Sequence, residues 1–508
     1  MGAELLYQPL LLSILAIALI RLILRPFLTT RPHKPRFPPG PWKLPVIGSM
    51  HHLVNVLPHR ALRDLAGVHG PLMMLQLGET PLVVASSREM ARQVLKTHDA
   101  NFATRPKLLG TEVVLYGSSD IIFSPSSEYW RKLRQLCAAE ILSAKRVLSF
   151  RHIREQQMAS EVERIRAAGP STPVNLSAMF EDIGNGIVAR ALFGTALRNA
   201  DEFLSALKDG IILTSGFMIP DLFPTWRSAL AAVTGMRRAV EGVHRTVDST
   251  LDGIIRERKR IRGSGEENLV DVLIGLQERG GLGFDLTEGT IKAVIFDMLT
   301  AGTGTLASAL SWGMSELMRN PRVMGKLQAE IRGAFRGKAT VTEADLQLQS
   351  QSSNSNLPYL KLVIKEMLRL HPPGPLLVPR ESIAECEIEG YVIPARSRVI
   401  VNAWAIGRDP ECWGQDACEF RPERFEDRGI EFNGGSFELL PFGAGRRMCP
   451  GIAYAIPVLE MALVQLLYHF DWSLPDGVAE VDMEEASGLG VRRKSPLLLC
   501  ATPFVVTI

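Results

Sequence analysis

The sequence contains few cysteines and almost no net charge, and each shortage excludes a class of protein. Only 6 of the 508 residues are cysteine, too few for a disulfide-stabilised scaffold. No Cys-x-x-Cys pair occurs, which excludes a zinc ribbon. The 57 Lys and Arg residues nearly balance 54 Asp and Glu residues, leaving +3, so broad electrostatic binding to nucleic acid is not expected.

Nucleotide-binding loops are also missing. No Gly-x-x-x-x-Gly-Lys-Ser/Thr motif occurs, and Gly302-x-Gly304 lacks the third glycine and the preceding strand of a dinucleotide loop. Hydrophobic residues make up 46% and charged residues 22%, which is typical of a folded globular protein. Since no linker composition follows residue 48, we predict one large domain over residues 49–508.

The N-terminus is apolar. Leu5–Ile20 is uncharged, and the run resumes after Arg21 to reach Leu24. About 20 such residues cross a bilayer core. No basic region precedes the run, which argues against a cleaved signal peptide, while basic residues follow it and favour a cytosolic body. We predict a transmembrane signal-anchor at residues 1–25.

A basic, proline-rich stretch follows the predicted anchor at residues 26–48. It contains Pro38, Pro39, Pro41 and Pro45. Each proline fixes φ and removes a backbone donor, so the stretch is stiff and extended. It is either a plain linker or a rigid hinge that orients the body on the bilayer.

Beyond residue 50 the pattern is mainly helical with small β-sheets. Helical periodicity covers Arg88–Thr97, Glu128–Leu142, Met236–Arg260, Leu286–Arg319, Tyr359–Leu370 and Ile452–Phe470. Strands are predicted at Leu72–Leu77, Pro81–Ala85, Ala384–Ile388 and Val399–Asn402. The low-complexity stretch Gln347–Asn356 is predicted to be a solvated loop.

One cysteine has an unusual setting. Gly443 and Gly445 allow the backbone before Cys449 to turn tightly, and an apolar helix is predicted to begin just after it. Free N–H groups at a helix start are expected to lower the pKa of the thiol. Arg447 is placed to neutralise a carboxylate. These features favour a thiolate ligand to haem iron over an inert buried thiol.

The stretch Phe442-x-x-Gly445-x-Arg447-x-Cys449-x-Gly451 resembles the haem-binding signature of cytochrome P450 enzymes, in their plant microsomal A-type. The resemblance runs along nearly the whole chain. It implies the cytochrome P450 fold and haem b with Cys449 as its metal ligand. It also implies O2 and electrons from NADPH delivered by a cytochrome reductase.

The same resemblance assigns further residues. Trp130 and Arg134 correspond to a helix that contacts the haem carboxylates, and Glu366, Arg369 and Arg424 to a structural ion-pair triad. Other Glu-x-x-Arg pairs, such as Glu163 with Arg166, are expected to be surface pairs. The full cofactor-binding set implied is Cys449, Arg447, Phe442, Gly443, Gly451, Trp130, Arg134 and Arg380.

The oxygen-activating helix of the family corresponds to Ala301–Leu306. Thr305 matches the catalytic alcohol that helps to deliver protons. Gly304 replaces the acid that normally precedes it, and Asp297 is about two turns away. We expect water, or Thr303, to supply the proton route instead.

The segments matching the family's substrate contacts are apolar, which favours a lipophilic substrate. The candidate lining residues are Val114, Phe123, Phe217, Ala301, Leu376, Leu377 and Leu489. A terpenoid of plant specialised metabolism, such as a diterpene, is our leading expectation, ahead of phenolics and aldoximes.

The function expected is that of a monooxygenase on the endoplasmic reticulum membrane, with NADPH-cytochrome reductase, the lipid bilayer and a lipophilic small molecule as partners. One alternative is a haem-thiolate isomerase or dehydratase that uses neither O2 nor reductase, because the acid at position 304 is missing. A non-catalytic haem or lipophile carrier is the other.

Overall fold

The computed structural model describes residues 36–195, 201–261, 267–351, 357–486, 488 and 490–504. The predicted anchor at 1–25, the hinge before residue 36 and Leu489 lie outside the described residues. Of the described helices, Glu288–Arg319 and Ile452–His469 are long and apolar enough to cross a membrane, but each is mostly buried inside the protein, as expected of core helices.

Helices dominate the described chain, as predicted. In chain order they are α1 (Pro58–His69), α2 (Arg88–Arg92), α3 (Asp99–Phe102), α4 (Leu109–Val114), α5 (Glu128–Glu140), α6 (Ala144–Ser149), α7 (Arg151–Ala168), α8 (Leu176–Phe193), α9 (Asp201–Leu213), α10 (Ile219–Leu222), α11 (Arg227–Val233), α12 (Met236–Ile261), α13 (Leu269–Arg279), α14 (Glu288–Arg319), α15 (Pro321–Ala334), α16 (Glu343–Gln351), α17 (Pro358–Leu370), α18 (Ala403–Ile406), α19 (Pro410–Trp413) and α20 (Ile452–His469). Short 3-10 turns occur at Met50–Leu53, Pro224–Trp226, Pro422–Phe425 and Gly445–Arg447, and a π-turn occurs at Gln93–Thr97.

The strands are short and form small sheets. They are β1 (Leu72–Leu77), β2 (Thr80–Ala85), β3 (Val174–Asn175), β4 (Arg380–Glu381), β5 (Cys386–Ile388), β6 (Tyr391–Ile393), β7 (Arg398–Val401), β8 (Phe470–Ser473), β9 (Glu485–Ala486), β10 (Arg492–Arg493) and β11 (Leu498–Pro503). The largest sheet has the order β1-β2-β7-β4, in which β2 and β7 are parallel and the other pairs antiparallel. A second has the order β3-β11-β8, and β5 with β6 and β9 with β10 form pairs.

Helix α14 runs through the main hydrophobic core. The Thr287 side chain caps its start by accepting a hydrogen bond from the Thr290 N–H at 3.0 Å. Apolar residues lie on most sides of this helix because α8, α13, α17 and α20 pack around it. Contact with α8 is close, since a Cβ on Gly184 would lie 3.0 Å from the Thr303 Cα.

The prediction of a loop at residues 347–356 is wrong for its first half. Residues 347–351 belong to α16, and residues 352–356 lie outside the described residues. The reason is a capping box, in which the Thr342 hydroxyl accepts from the Asp345 N–H and Asp345 accepts from the Thr342 N–H. Leu346 is also buried, so the polar composition misled the prediction.

Glu366 forms a buried ion-pair triad that ties α17 to the 3-10 turn at Pro422–Phe425. Its carboxylate accepts hydrogen bonds from Arg369 Nε at 2.6 Å and Arg424 Nε at 2.8 Å. All three side chains are fully buried. Their remaining N–H groups donate to the backbone carbonyls of Gly407, Trp413, Asp416, Ala417 and Glu419. Removing one member leaves the other charges buried without compensation.

We predict that Glu366→Gln lowers the free energy of unfolding by about 3–5 kcal/mol, because it leaves two buried guanidinium groups without their carboxylate. Glu163→Gln is the matched control, since Glu163 makes an ion pair with Arg166 at the same i,i+3 spacing but is 69% exposed. The control is expected to cost well under about 1 kcal/mol. Urea unfolding measures both, and equal effects would contradict a structural role for the triad.

Candidate active site

A cavity of about 520 Å³ lies between α14 and the loop that precedes α20. Its wall is largely apolar, and its described charged residues are six arginines and one aspartate. Of the cofactor-binding residues predicted from the sequence, those that line it are Cys449, Arg447, Phe442, Gly443, Gly451, Arg134 and Arg380. A single space therefore contains groups that are hundreds of residues apart in the chain.

Cys449 points into this cavity from the turn before α20. Its N–H donates to the Phe442 carbonyl at 2.9 Å, and its sulfur accepts from the Gly451 N–H at 3.4 Å. Gly445 makes the turn possible: its φ is +71°, and a Cβ there would lie 2.2 Å from the Leu95 carbonyl oxygen. The loop thus aims one sulfur at the cavity and supports it with one backbone donor.

The pKa of the Cys449 thiol is raised above its ordinary value, not lowered as expected from the helix start. Burial is the main cause, because the protein surrounds the sulfur even though its surface faces the cavity. The Gly451 N–H and the charge of Arg134 oppose this effect without overcoming it. The free thiol is therefore held neutral, and a bound cation would be needed to favour the thiolate.

Four arginines converge beside the Cys449 loop: Arg105, Arg134, Arg380 and Arg447. They are held mainly by backbone carbonyl groups. Arg105 donates to the Ile122, Val378 and Pro379 carbonyls, and Arg447 to those of Ala103, Ile121 and Ser124. Arg134 donates to Met448, and Arg380 to Ala444 and, at 2.7 Å, to the Asp99 carboxylate.

These arginines carry more positive charge than the surrounding acids neutralise. Burial, with the nearby charges of Arg380 and Arg134, lowers the pKa of Arg447 to about 9. Burial likewise lowers the pKa of Arg105, and Arg447 beside it adds to that effect. A buried cluster whose members disfavour one another's charge is a site for an anionic group.

Trp130 lies behind this cluster and not in the cavity wall. It is buried, and its Nε1 donates to the Ile121 carbonyl at 3.1 Å. The Arg447 guanidinium carbon is 3.7 Å from the centroid of its ring, a cation–π contact. Trp130 thus fixes the plane of Arg447.

The opposite wall is formed by the middle of α14. Thr305 lines the cavity, and its hydroxyl donates to the Ala301 carbonyl at 2.6 Å. Gly304 also lines it, with no side chain in the place of the family's acid. Thr303 instead packs against Gly184 of α8, and its buried hydroxyl has no hydrogen-bond partner among the residues that the structure describes. The proton route through Thr303 considered from the sequence therefore has no access to the cavity.

The predicted substrate-lining residues divide into three groups. Phe123, Phe217, Ala301, Leu376 and Leu377 line the cavity. Val114 does not line it, because it ends α4 fully buried in the main hydrophobic core. Leu489 lies outside the described residues.

Sequence reasoning missed Arg105 and Arg492, and it did not name Asp297 among the residues that line the cavity. All three line it. Arg105 stands in a loop with no periodicity, and only its position before Pro106 distinguishes it. Arg492 is the first of three consecutive basic residues, Arg492-Arg493-Lys494. The sequence does not indicate which of the three faces the cavity.

Asp297 links α14 to the loop that follows α4. Its carboxylate accepts from the Ile121 N–H at 2.9 Å, and the neighbouring Asp120 accepts from the Ile122 and Phe123 N–H groups. Burial, together with the charge of Asp120, raises the pKa of Asp297 well above its ordinary value. Burial also raises the pKa of Asp120, and the charge of Arg447 offsets this rise only in part.

We predict that Asp297→Asn becomes more stable relative to the wild type as pH rises from about 4 to about 8. The wild type loses stability over that range, since its unfolded state releases the proton at lower pH than its folded state. Asparagine keeps an oxygen for the Ile121 N–H and cannot ionise.

The control is Asp248→Asn, for which the opposite trend is expected, and only below about pH 4, because a lowered pKa confines the change in stability to that range. Although burial opposes it, hydrogen bonds from Lys292 and Tyr116 lower the pKa of Asp248. Urea unfolding at several pH values measures both trends, and an Asp297→Asn difference that is independent of pH would refute the prediction.

The fold is that of solved cytochrome P450 structures. A zebra fish cytochrome P450 with abiraterone aligns with a TM-score of 0.73 at 25% sequence identity, over 88% of this chain and 100% of that chain. The family model described as Cytochrome P450 matches residues 38–501.

Curated relatives are similar over nearly their whole length. Premnaspirodiene oxygenase of Hyoscyamus muticus is 47% identical over 491 residues, covering 95% of this chain and 96% of its own. The 5-epiaristolochene 1,3-dihydroxylase of Nicotiana tabacum is 44% identical over 492 residues, which cover 95% of this chain and 96% of that protein. Desmethyl-deoxy-podophyllotoxin synthase of Sinopodophyllum hexandrum is 47% identical over 477 residues, 92% of each. The chain belongs to the cytochrome P450 family of haem-thiolate monooxygenases, in its plant A-type branch.

Proposed function

We propose that this monooxygenase inserts oxygen into a terpenoid, with Cys449 as the haem ligand. The observation that carries the proposal is the position of Cys449, whose sulfur faces an apolar cavity beside four arginines. Two of the relatives named above are an oxygenase of premnaspirodiene and a dihydroxylase of 5-epiaristolochene, both terpenoids.

The residues around the cavity fit haem. Cys449 would ligate the iron, and the iron's charge would favour the thiolate that burial otherwise disfavours. Arg105, Arg134, Arg380 and Arg447 would hold the haem carboxylates, which supply the negative charge that this cluster lacks. Gly443 has a φ of +65°, and of the described side chains only that of Leu377 lies near its Cβ position, which leaves room for a flat ring.

When bound through a cysteine thiolate, haem supplies oxygen activation with electrons derived from NADPH. The side chains of the protein then orient the substrate and hold or transfer protons. Thr305 holds a proton at Oγ1, directed at the Ala301 carbonyl, and is the hydroxyl on the α14 wall nearest to Gly304 that faces the cavity. With glycine at position 304, we propose that protons reach Thr305 through water.

The apolar wall supports a lipophilic substrate. Phe123, Phe217 and Leu376 contribute hydrocarbon surface, while Thr214 and Ser215 add hydroxyl groups. An apolar pocket with few polar groups binds its ligand mainly by burial and fixes its orientation with those few groups. This composition suits a terpenoid better than a phenol with several hydroxyl groups.

We propose an attachment to the endoplasmic reticulum membrane through residues 1–25, with residues 49–508 as a cytosolic catalytic domain. The apolar run at Leu5–Ile20 supports this proposal. Exposed apolar side chains near the start of the described chain, Trp42, Val46 and Val68, and on α10 to α11, Trp226 and Val233, support contact with lipid. Electrons would come from a membrane-bound NADPH-cytochrome reductase.

We predict that Cys449→Ser abolishes the thiolate type of spectrum, because an alcohol does not replace the thiolate donor. The reduced, CO-bound absorption spectrum of the purified full-length chain measures this. Cys418→Ser is the control, because Cys418 is a free cysteine that does not line the cavity. A thiolate spectrum that survives in Cys449→Ser would overturn the assignment.

We predict that Thr305→Val lowers the product formed per NADPH consumed, by roughly tenfold, because the cavity loses a proton-holding hydroxyl. Thr303→Val removes a buried hydroxyl of the same helix that does not line the cavity, and it is expected to leave this ratio nearly unchanged. Assays use reconstituted reductase and a panel of terpenoids. Product formed without O2 and reductase would instead favour the isomerase or dehydratase.

A further inference from the structure

One guanidinium in the cavity, that of Arg492, has no partner among the described residues. Of the six arginines that line it, Arg105, Arg134 and Arg447 donate to backbone carbonyls. Two others have carboxylate partners, namely Arg154 with Glu343 and Arg380 with Asp99. The side chain of Arg492 makes no hydrogen bond or ion pair with any described residue.

Arg492 lies against α14 at the position where the family has an acid. A Cβ built on Gly304 would be 2.8 Å from Arg492 Nη2. The guanidinium therefore occupies the volume that a side chain at position 304 would fill, one residue from Thr305. An acid at this position would lie within reach of the cation, whereas glycine leaves the positive charge free.

The backbone holds Arg492 in this place. It stands in β10, which pairs with β9 through Arg492 and Ala486. The preceding carbonyl, that of Val491, accepts hydrogen bonds from the Ser308 hydroxyl and from Trp312 Nε1 at 2.8 Å, both on α14. These bonds fix the start of the arginine side chain beside the helix.

The acids of the same hairpin are engaged elsewhere. Glu485 pairs with His59 and Arg60, each at 2.9 Å. Glu484 pairs with Lys494 at 2.6 Å. Asp297, the one acid in the described wall, accepts a hydrogen bond from the Ile121 N–H. No described carboxylate therefore neutralises Arg492.

We propose that Arg492 binds a carboxylate of the substrate, and that Gly304 keeps this subsite open. The inference rests on the proposed function and narrows its substrate class to terpenoid acids: an apolar body against Phe123, Phe217 and Leu376, and a carboxylate on the guanidinium. Since Arg492 adjoins Thr305, the carboxylate end lies at the α14 wall and fixes which part of the hydrocarbon faces the cavity centre.

The test compares acids with their methyl esters. Farnesoic acid and abietic acid, and the methyl ester of each, are titrated into the purified haem-loaded full-length chain by calorimetry. We expect the wild type to bind at least one acid roughly 10- to 100-fold more tightly than its ester, the range for a hydrogen-bonded charge pair. Acids that bind no more tightly than their esters, or do not bind at all, overturn the proposal.

Variants assign the effect to the subsite. Arg492→Gln is expected to remove the preference for the acid, and Arg492→Lys to retain part of it. Lys494→Gln makes the same change of charge on the surface two residues away and is expected to keep the preference. A preference that survives in Arg492→Gln refutes the assignment.

Gly304 provides an independent arm. Gly304→Asp is expected to pair with Arg492 and weaken acid binding about as much as Arg492→Gln, with no further loss in the double variant. Gly304→Asn fills the same volume without charge, so it separates the effect of side-chain volume from that of charge. If Gly304→Asn weakens acid binding as much as Gly304→Asp does, the proposed charge pairing is refuted. Absence of the thiolate spectrum from the wild type would refute the proposed function instead. Calorimetry measures the binding of the acids independently of that spectrum, so the two failures can be told apart.

Discussion

Unneutralised positive charge beside the Cys449 loop is the constraint on which the site depends. Arg105, Arg380 and Arg447 are buried, and among the described acids only Asp99 pairs directly with one of them. Loops from four parts of the chain turn their carbonyl groups inward to hold these arginines. Such an arrangement costs desolvation energy in the protein alone and is stabilised when a group with carboxylates binds. Under the proposed function, haem binding would therefore stabilise the fold through this cluster.

The two walls of the cavity have different tasks. The loop before α20 is rigid, because Gly445 leaves no room for a side chain and the Cys449 N–H is bonded to Phe442. The α14 wall is made of small residues at Ala301, Gly302 and Gly304, which leave its surface open. Under the proposed function, the first wall would hold the cofactor, and the second would leave space in which neighbouring side chains select the ligand.

The sequence allowed much of this to be predicted, for physical reasons. Long helices and the β1–β2 hairpin have strong periodicity, and their bounds differ from the prediction by only a few residues. The Cys449 loop combines glycines, an arginine and a helix start, which few other functions require. Arg105 and Arg492 escaped because their roles arise from contacts between distant segments. The sign of the Cys449 pKa shift was wrong because burial is invisible in a local pattern.

The parallel pairing of β2 with β7 joins Leu82 to Arg398, about 316 positions later in the chain. Ribosomes add roughly 5–20 residues per second, so β7 is synthesised tens of seconds after β2. During that time one edge of the apolar hairpin β1–β2 is unsatisfied. This sheet can close only late in synthesis, and until then the nascent polypeptide exposes a strand edge on which chaperones can act.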